Sequence, residues 1–149
     1  MISLRRRTLL ALTAVYGALA IGGIGNAIAA DDALIAKLQK DEIRSAIERV
    51  AQFADERSRA IRVQFTSGEV RVFSSSVEMG ESEESVPGDY QGPDLEIGFN
   101  AQYLLDFLRV IPQNHVAIQL KDQKSAGELR PDGENATGQY RYVVMPMRI

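Results

Sequence analysis

The chain has 149 residues, enough for one ordinary domain and too few for two large ones. Hydrophobic residues make up 45% and charged residues 25%, which suits a packed soluble core and excludes general disorder. The formal net charge is -3, cysteine is absent and His115 is the single histidine. This composition excludes disulfides, thiolate metal sites and cysteine nucleophiles, leaves little for a histidine-based zinc site or triad, and does not advertise nucleic-acid binding, although a local basic face stays open.

Residues 1–30 differ from the rest of the chain. Arg5, Arg6 and Arg7 precede an apolar stretch from Leu9 to Ile24, which leads to Ala27-Ile28-Ala29, Ala30 and the acidic pair Asp31-Asp32. A charged start, an apolar middle and an A-x-A end form a secretory signal pattern with a cut near Ala29. The arginine pair also suits a twin-arginine signal. Thr13, Tyr16 and several glycines interrupt the stretch, which argues against a membrane span. The other reading is an unrelated segment left by a truncated or fused reading frame. On either reading residues 1–30 stand apart from a domain at 31–149.

From Ala33 the elements succeed one another closely. Ala33 to Leu38 reads as a short strand. Lys40 to Phe53 carries Ile43, Ala46, Ile47 and Val50, the i, i+3, i+4, i+7 spacing of an amphipathic helix, with Asp41 and Glu42 in the first turn where the helix dipole favours acids. Ala60 to Thr66 alternates Ile61, Val63 and Phe65 with Arg62 and Gln64, a half-buried strand. Ser67-Gly68 turns it into a return strand at Val70 and Val72. Ser74 to Glu84 is polar and acidic; without the ligand spacing of a metal loop it is expected to be a solvated edge strand or loop. Leu95 to Phe99 alternates again. Asn100 suits an N-cap for a second helix from Ala101 to Ile111, which Pro112 stops. Strands are expected at His115 to Leu120, Ala126 to Arg130 and Tyr140 to Met145, with a loop from Pro131 to Gly138.

An internal repeat emerges. Strand, helix, hairpin and further strand run from Ala33 to about Val86 and again from Leu95 to Met145, shifted by about sixty residues, and both helices end in Arg-Val (Arg49-Val50 and Arg109-Val110). The expected architecture is α+β, with one helix per half lying side by side on antiparallel sheets that keep one face wet.

No constellation for catalysis stands out. Neither a glycine-rich phosphate loop nor a nucleophile elbow is present. Asp94 and Glu96 form a close carboxylate pair, but alternation puts them on the outer face of a strand. His115 begins a strand without an implied acid partner. No cofactor and no metal site is expected. Lys37, Lys40, Arg44 and Arg49 cluster in or beside the first helix, with Arg44 off its apolar stripe and so expected to face solvent; such a face touches phosphates by charge alone or serves as an ordinary solubilising surface balanced by Asp41, Glu42 and Glu48. The last eight residues, Tyr142-Val143-Val144-Met145-Pro146-Met147-Arg148-Ile149, are too apolar for an idle chain end. Such a run is packed away or used as a binding surface.

That run, together with Leu95-Glu96-Ile97-Gly98-Phe99-Asn100, Tyr103-Leu104-Leu105-Asp106 and Arg57-Ser58-Arg59-Ala60-Ile61-Arg62, resembles the C-terminal, third domain of the bacterial DNA polymerase III beta sliding clamp. The resemblance runs from about Ala33 to the chain end. It implies a two-fold repeated clamp domain and a non-catalytic, cytoplasmic processivity factor. In that family two three-domain subunits close into a ring around duplex DNA and tether DNA polymerase III, clamp-loader subunits and other partners through short linear motifs. By matching positions, the resemblance implies a partner-peptide pocket at Val143, Val144, Met145, Pro146, Met147 and Arg148 with Ala126 and Ser58 near its rim. It also implies a subunit interface at Gln52 and Phe53, and Lys40 and Arg44 facing the hole.

Overall fold

The computed structural model describes residues 33–133 and 140–148; the signal-like segment and most of the expected loop before Tyr140 lie outside the described residues. From Leu34 onward the chain forms β1 (Leu34–Gln39), α1 (Lys40–Ala51), β2 (Ala60–Thr66), β3 (Glu69–Ser76), β4 (Gly80–Tyr90), β5 (Leu95–Asn100), α2 (Ala101–Val110), β6 (His115–Leu120), β7 (Gly127–Asp132) and β8 (Tyr142–Val144). Among the described residues no helix is long and apolar enough to cross a membrane.

The helices form where the apolar spacing requires them. α1 buries Ile43, Ala46, Ile47 and Val50, and α2 buries Ala101, Leu104, Leu105, Phe107 and Leu108. Asn100 caps α2: its Oδ1 accepts from Gln102 N at 2.9 Å, which satisfies one of the free N–H groups of the first turn. Both helices are slightly shorter than their sequences suggest, since Gln52-Phe53 and Ile111 only close the final turns.

Among the described residues all strand pairs are antiparallel, and the eight strands join in the order β5-β2-β3-β4-β1-β6-β7-β8. The order is one four-strand pattern read twice, so the repeat is structural. Its register is 61 residues: Ile43, Ala46, Ile47 and Val50 fall on Leu104, Phe107, Leu108 and Ile111, all buried. The shared Arg-Val ending is off by one and is a coincidence, because Val50 is fully buried while Val110 is 67% exposed.

The sheet folds round onto its own core. Ile43 and Ile47 of α1, Leu104 and Leu108 of α2, Val63 and Phe65 of β2, Phe99 of β5, Ile118 of β6 and Leu129 of β7 enclose one void of about 10 Å³. Strands from opposite ends of the sheet order therefore meet there. The void is at the lower limit for a water and lacks polar lining, so it is dry.

Two expectations need correction. The acidic stretch after Ser74 is neither a loop nor simply an edge: β3 continues to Ser76, and β4 pairs with β3 from Gly80 to Pro87 and with β1 from Gly88 to Tyr90. Its Gly80 to Ser85 half has β3 on one side only, and that is where the acids lie. Pro87-Gly88 marks the change of partner rather than the end of the strand. Leu38 Cδ2 would lie 2.4 Å from a Cβ at position 88, so glycine lets β1 approach. Pro131 is likewise a strand residue, paired with Val116, beyond the point where β8 stops at Leu129, the kind of edge position that tolerates a proline.

Candidate functional site

The chain end is held at two points. β8 pairs with β7 through Leu129↔Tyr142, Glu128↔Val143 and Gly127↔Val144. Pro146 has no N–H to continue that ladder, and at Met147 the chain has crossed to β5, where Met147 N donates to Gly98 O at 2.8 Å. Met145-Pro146 therefore spans the seam between β7 and β5.

Alternation decides which side chains point outward. Val144 is buried and Tyr142 half-buried, whereas Val143 and Met145 are 61% and 68% exposed. From below, the Phe107 ring of α2 stacks on Tyr140 and Tyr142, with centroids 5.7 and 5.5 Å apart. Burial pushes the Tyr142 hydroxyl above its ordinary range, and Asp106 adds to this. Glu128, opposite Val143, accepts from Arg141 Nε at 2.9 Å and Nη2 at 2.6 Å and also from Arg130 Nε. The Arg141 hydrogen bonds, with Arg130 assisting against partial burial, hold its carboxyl below the usual range. The outward face is thus an apolar strip beside a charged, hydrogen-bonded cluster. Such an exposed apolar strip is a feature of surfaces that bind something.

Of the residues expected at this site, Val143 to Arg148 form the run itself. Ala126 is half-buried, and one further step of the β7–β8 register puts it opposite Met145. Ser58 lies along a different feature, a polar cleft of about 670 Å³ with Asp55, Arg62, Phe73, Glu81 and Glu83. Its link toward the run is through β5, since Ser58 O accepts from Asn100 Nδ2 at 3.4 Å. Sequence reasoning missed the contact of Phe107 beneath β8. It also missed the role of Gly98 as the terminal anchor; a glycine inside an alternating strand, where a backbone can approach closely, was the available signal.

The other candidate residues are spread over α1. Gln52 is exposed and Phe53 half-buried, just past the helix end. Lys40 turns its ammonium to the end of α2, where Nζ donates to Ile111 O at 3.3 Å. Arg44 is off the apolar stripe as expected, but it is only partly exposed: it lies 3.9 Å from Asp41, and its Nε is buried without a partner. Lys37 and Arg49 pair with Asp132 and Glu84. Glu96 lies 3.5 Å from Arg62, so the carboxylate pair with exposed Asp94 is in part a surface ion pair. No group of three or more potential metal ligands occurs among the described residues.

Residues 26–148 match the profile of the family described as DNA polymerase III beta subunit, C-terminal domain. The chain belongs to that family. The match takes in every described element from β1 to the terminal run. Among curated relatives, the beta sliding clamp of Pseudomonas putida is 38% identical over 110 residues, covering 74% of this chain and 29% of the relative. The beta sliding clamp of Escherichia coli K12 is 31% identical over 109 residues, covering 73% and 29%. The chain thus spans less than a third of the length of these relatives. Among solved structures, the sliding clamp of Pseudomonas aeruginosa superposes with a TM-score of 0.73 at 35% identity, covering 78% of this chain and 31% of that one. A clamp of the same organism solved bound to griselimycin gives 0.72 at 35% identity, with the same coverage. The fold is that of a sliding-clamp domain, α+β with a two-fold repeat.

Proposed function

We propose that this chain acts as the C-terminal domain of a DNA-replication sliding clamp, a non-catalytic processivity element that binds partner proteins through its chain end. On this reading residues 31–149 are the clamp domain and residues 1–30 an added segment. The observation that carries the proposal is the terminal run: Val143 and Met145 exposed on a strip whose backbone is anchored at both ends. A rigid apolar strip binds a peptide at low ordering cost. The pocket consists of Val143, Val144, Met145, Pro146, Met147 and Arg148, with Ala126 beside it and Ser58 at its outer rim. The partners are short linear motifs of DNA polymerase III and clamp-loader subunits. Gln52 and Phe53 meet another clamp domain, and Lys40 and Arg44 face duplex DNA when the domain is part of a ring, which places the protein in the cytoplasm. The test is a titration of the full chain with a fluorescent clamp-binding peptide and with griselimycin. Binding is expected, with loss in the Met145→Ala, Met147→Ala double variant; unchanged binding in that variant overturns the pocket.

The charged, apolar and A-x-A order of residues 5–29 favours a second reading, an exported small binding or structural protein that reuses the domain. Cell fractionation separates the two: a periplasmic product cut near Ala29 supports export, and an uncut cytoplasmic product rejects it.

A further inference from the structure

We infer that Gly127 is a positioning residue for the terminal run: its lack of a side chain sets the distance between β7 and β5 that Val144 to Met147 spans. The inference rests on the peptide-site reading above and adds to it a residue that touches no ligand. Gly127 is buried and is the residue of β7 that pairs with Val144, the last position of β8. A Cβ at position 127 would lie 3.2 Å from Phe99 Cζ and 3.4 Å from both Phe99 Cε1 and Leu120 Cδ2. Phe99 is 2% exposed and the void it borders is only about 10 Å³, so its ring has little room to retreat. It also comes directly after Gly98, whose carbonyl holds Met147. The close contact of Gly127 with Phe99 and the hydrogen bond of Met147 to Gly98 therefore cross the same seam, one in the core and one at the chain end. A methyl group at 127 pushes β7 and β5 apart by a few tenths of an ångström, stretches the Met147 bond and shifts Met145 relative to its strip. Binding sites lose affinity at displacements of about half an ångström, so a buried methyl is felt at the surface. The backbone at 127 is not in the left-handed region, so alanine adds no backbone strain there.

The experiment compares the full-length wild-type chain with Gly127→Ala, Gly127→Ala/Phe99→Leu and Ser74→Ala, all below their unfolding transitions. The readouts are binding of the fluorescent clamp-binding peptide and hydrogen exchange of the Met147 amide. Gly127→Ala is expected to weaken binding on the order of tenfold and to speed Met147 exchange. Phe99→Leu restores space in the seam and returns both readouts toward wild type. Ser74→Ala lowers stability from a buried site on β3, bonded to Val50 O, and moves neither readout. Wild-type binding and wild-type Met147 exchange in Gly127→Ala overturn the inference, as does an equal effect from Ser74→Ala. A wild-type chain that binds no peptide overturns the peptide-site reading instead; the Met147 exchange then decides the seam role of Gly127 by itself.

Discussion

Met147 bonds to Gly98 where the repeat requires a strand pair. At the 61-residue shift Gly98 corresponds to Lys37, the middle of the three β1–β4 pairs Ala36↔Tyr90, Lys37↔Asp89 and Leu38↔Gly88. Among the described residues the equivalent β5–β8 seam keeps the single bridge Gly98↔Met147. The same fold thus has one closed seam and one nearly open one, and the apolar chain end lies across the open one. An antiparallel ladder satisfies its own backbone groups, so a seam left mostly unpaired frees the terminal strip to face outward.

Phe107 supports that strip from the core. Its ring is 1% exposed and stacks on Tyr140 and Tyr142. Phe107→Ala removes a buried ring and leaves a cavity, and the expected loss is about 3–5 kcal/mol of stability, measured by urea denaturation. Phe107→Leu is expected to lose clearly less. Equal losses in the two variants would show that the ring stack, rather than the volume the ring fills, carries the contribution.

Asn100 starts α2 with one side-chain bond, Oδ1 to Gln102 N, and Asn100→Ala is expected to cost about 1 kcal/mol. Asn100→Asp keeps the acceptor and places a negative charge at the positive helix end but loses the Nδ2 donor to Ser58 O, so its stability is expected to lie between Asn100→Ala and wild type. Thermal melts of the three proteins check the order.

Glu128 predicts a pH dependence. Its carboxyl is held below the usual range by Arg141 first and Arg130 second. A carboxyl with a depressed folded-state pKa stabilises the fold above its unfolded value of about 4.3, and that contribution is lost as pH falls through the folded value. Urea midpoints of the wild type are therefore expected to fall below about pH 4.3 more steeply than those of Glu128→Gln. Parallel curves would show that the two arginines do not act on this carboxyl in solution.

Much of the fold was readable from residue order. The i, i+3, i+4, i+7 stripe of α1, the Asn100 cap and the alternation in β2, β5 and β6 are local patterns that local physics obeys. The first half of β4 was legible only as an edge strand or a loop. Glu81, Glu83 and Glu84 resemble a loop because an exposed half-strand has no need of alternation, and its ladder to β3 is a long-range choice. Ser58 shows the same limit. The family resemblance puts it near the terminal run, yet its place in the Asp55–Glu83 cleft depends on how β2, β3 and β4 stack.

The residue pattern alone was enough for two helices, a doubled strand order and an apolar end that needed an explanation, because spacing and composition act within a few residues. It also misled by one residue, aligning Arg49-Val50 with Arg109-Val110 when burial aligns Val50 with Ile111. The crossing of Met145-Pro146 from β7 to β5, the tight fit of Gly127 against Phe99 and the anchoring of Met147 on Gly98 appear only once the sheet has folded onto itself. These contacts join residues distant in the chain, and no local preference encodes them. Closing the sheet around a shared core determines how far apart β7 and β5 stand, and so what the chain end presents.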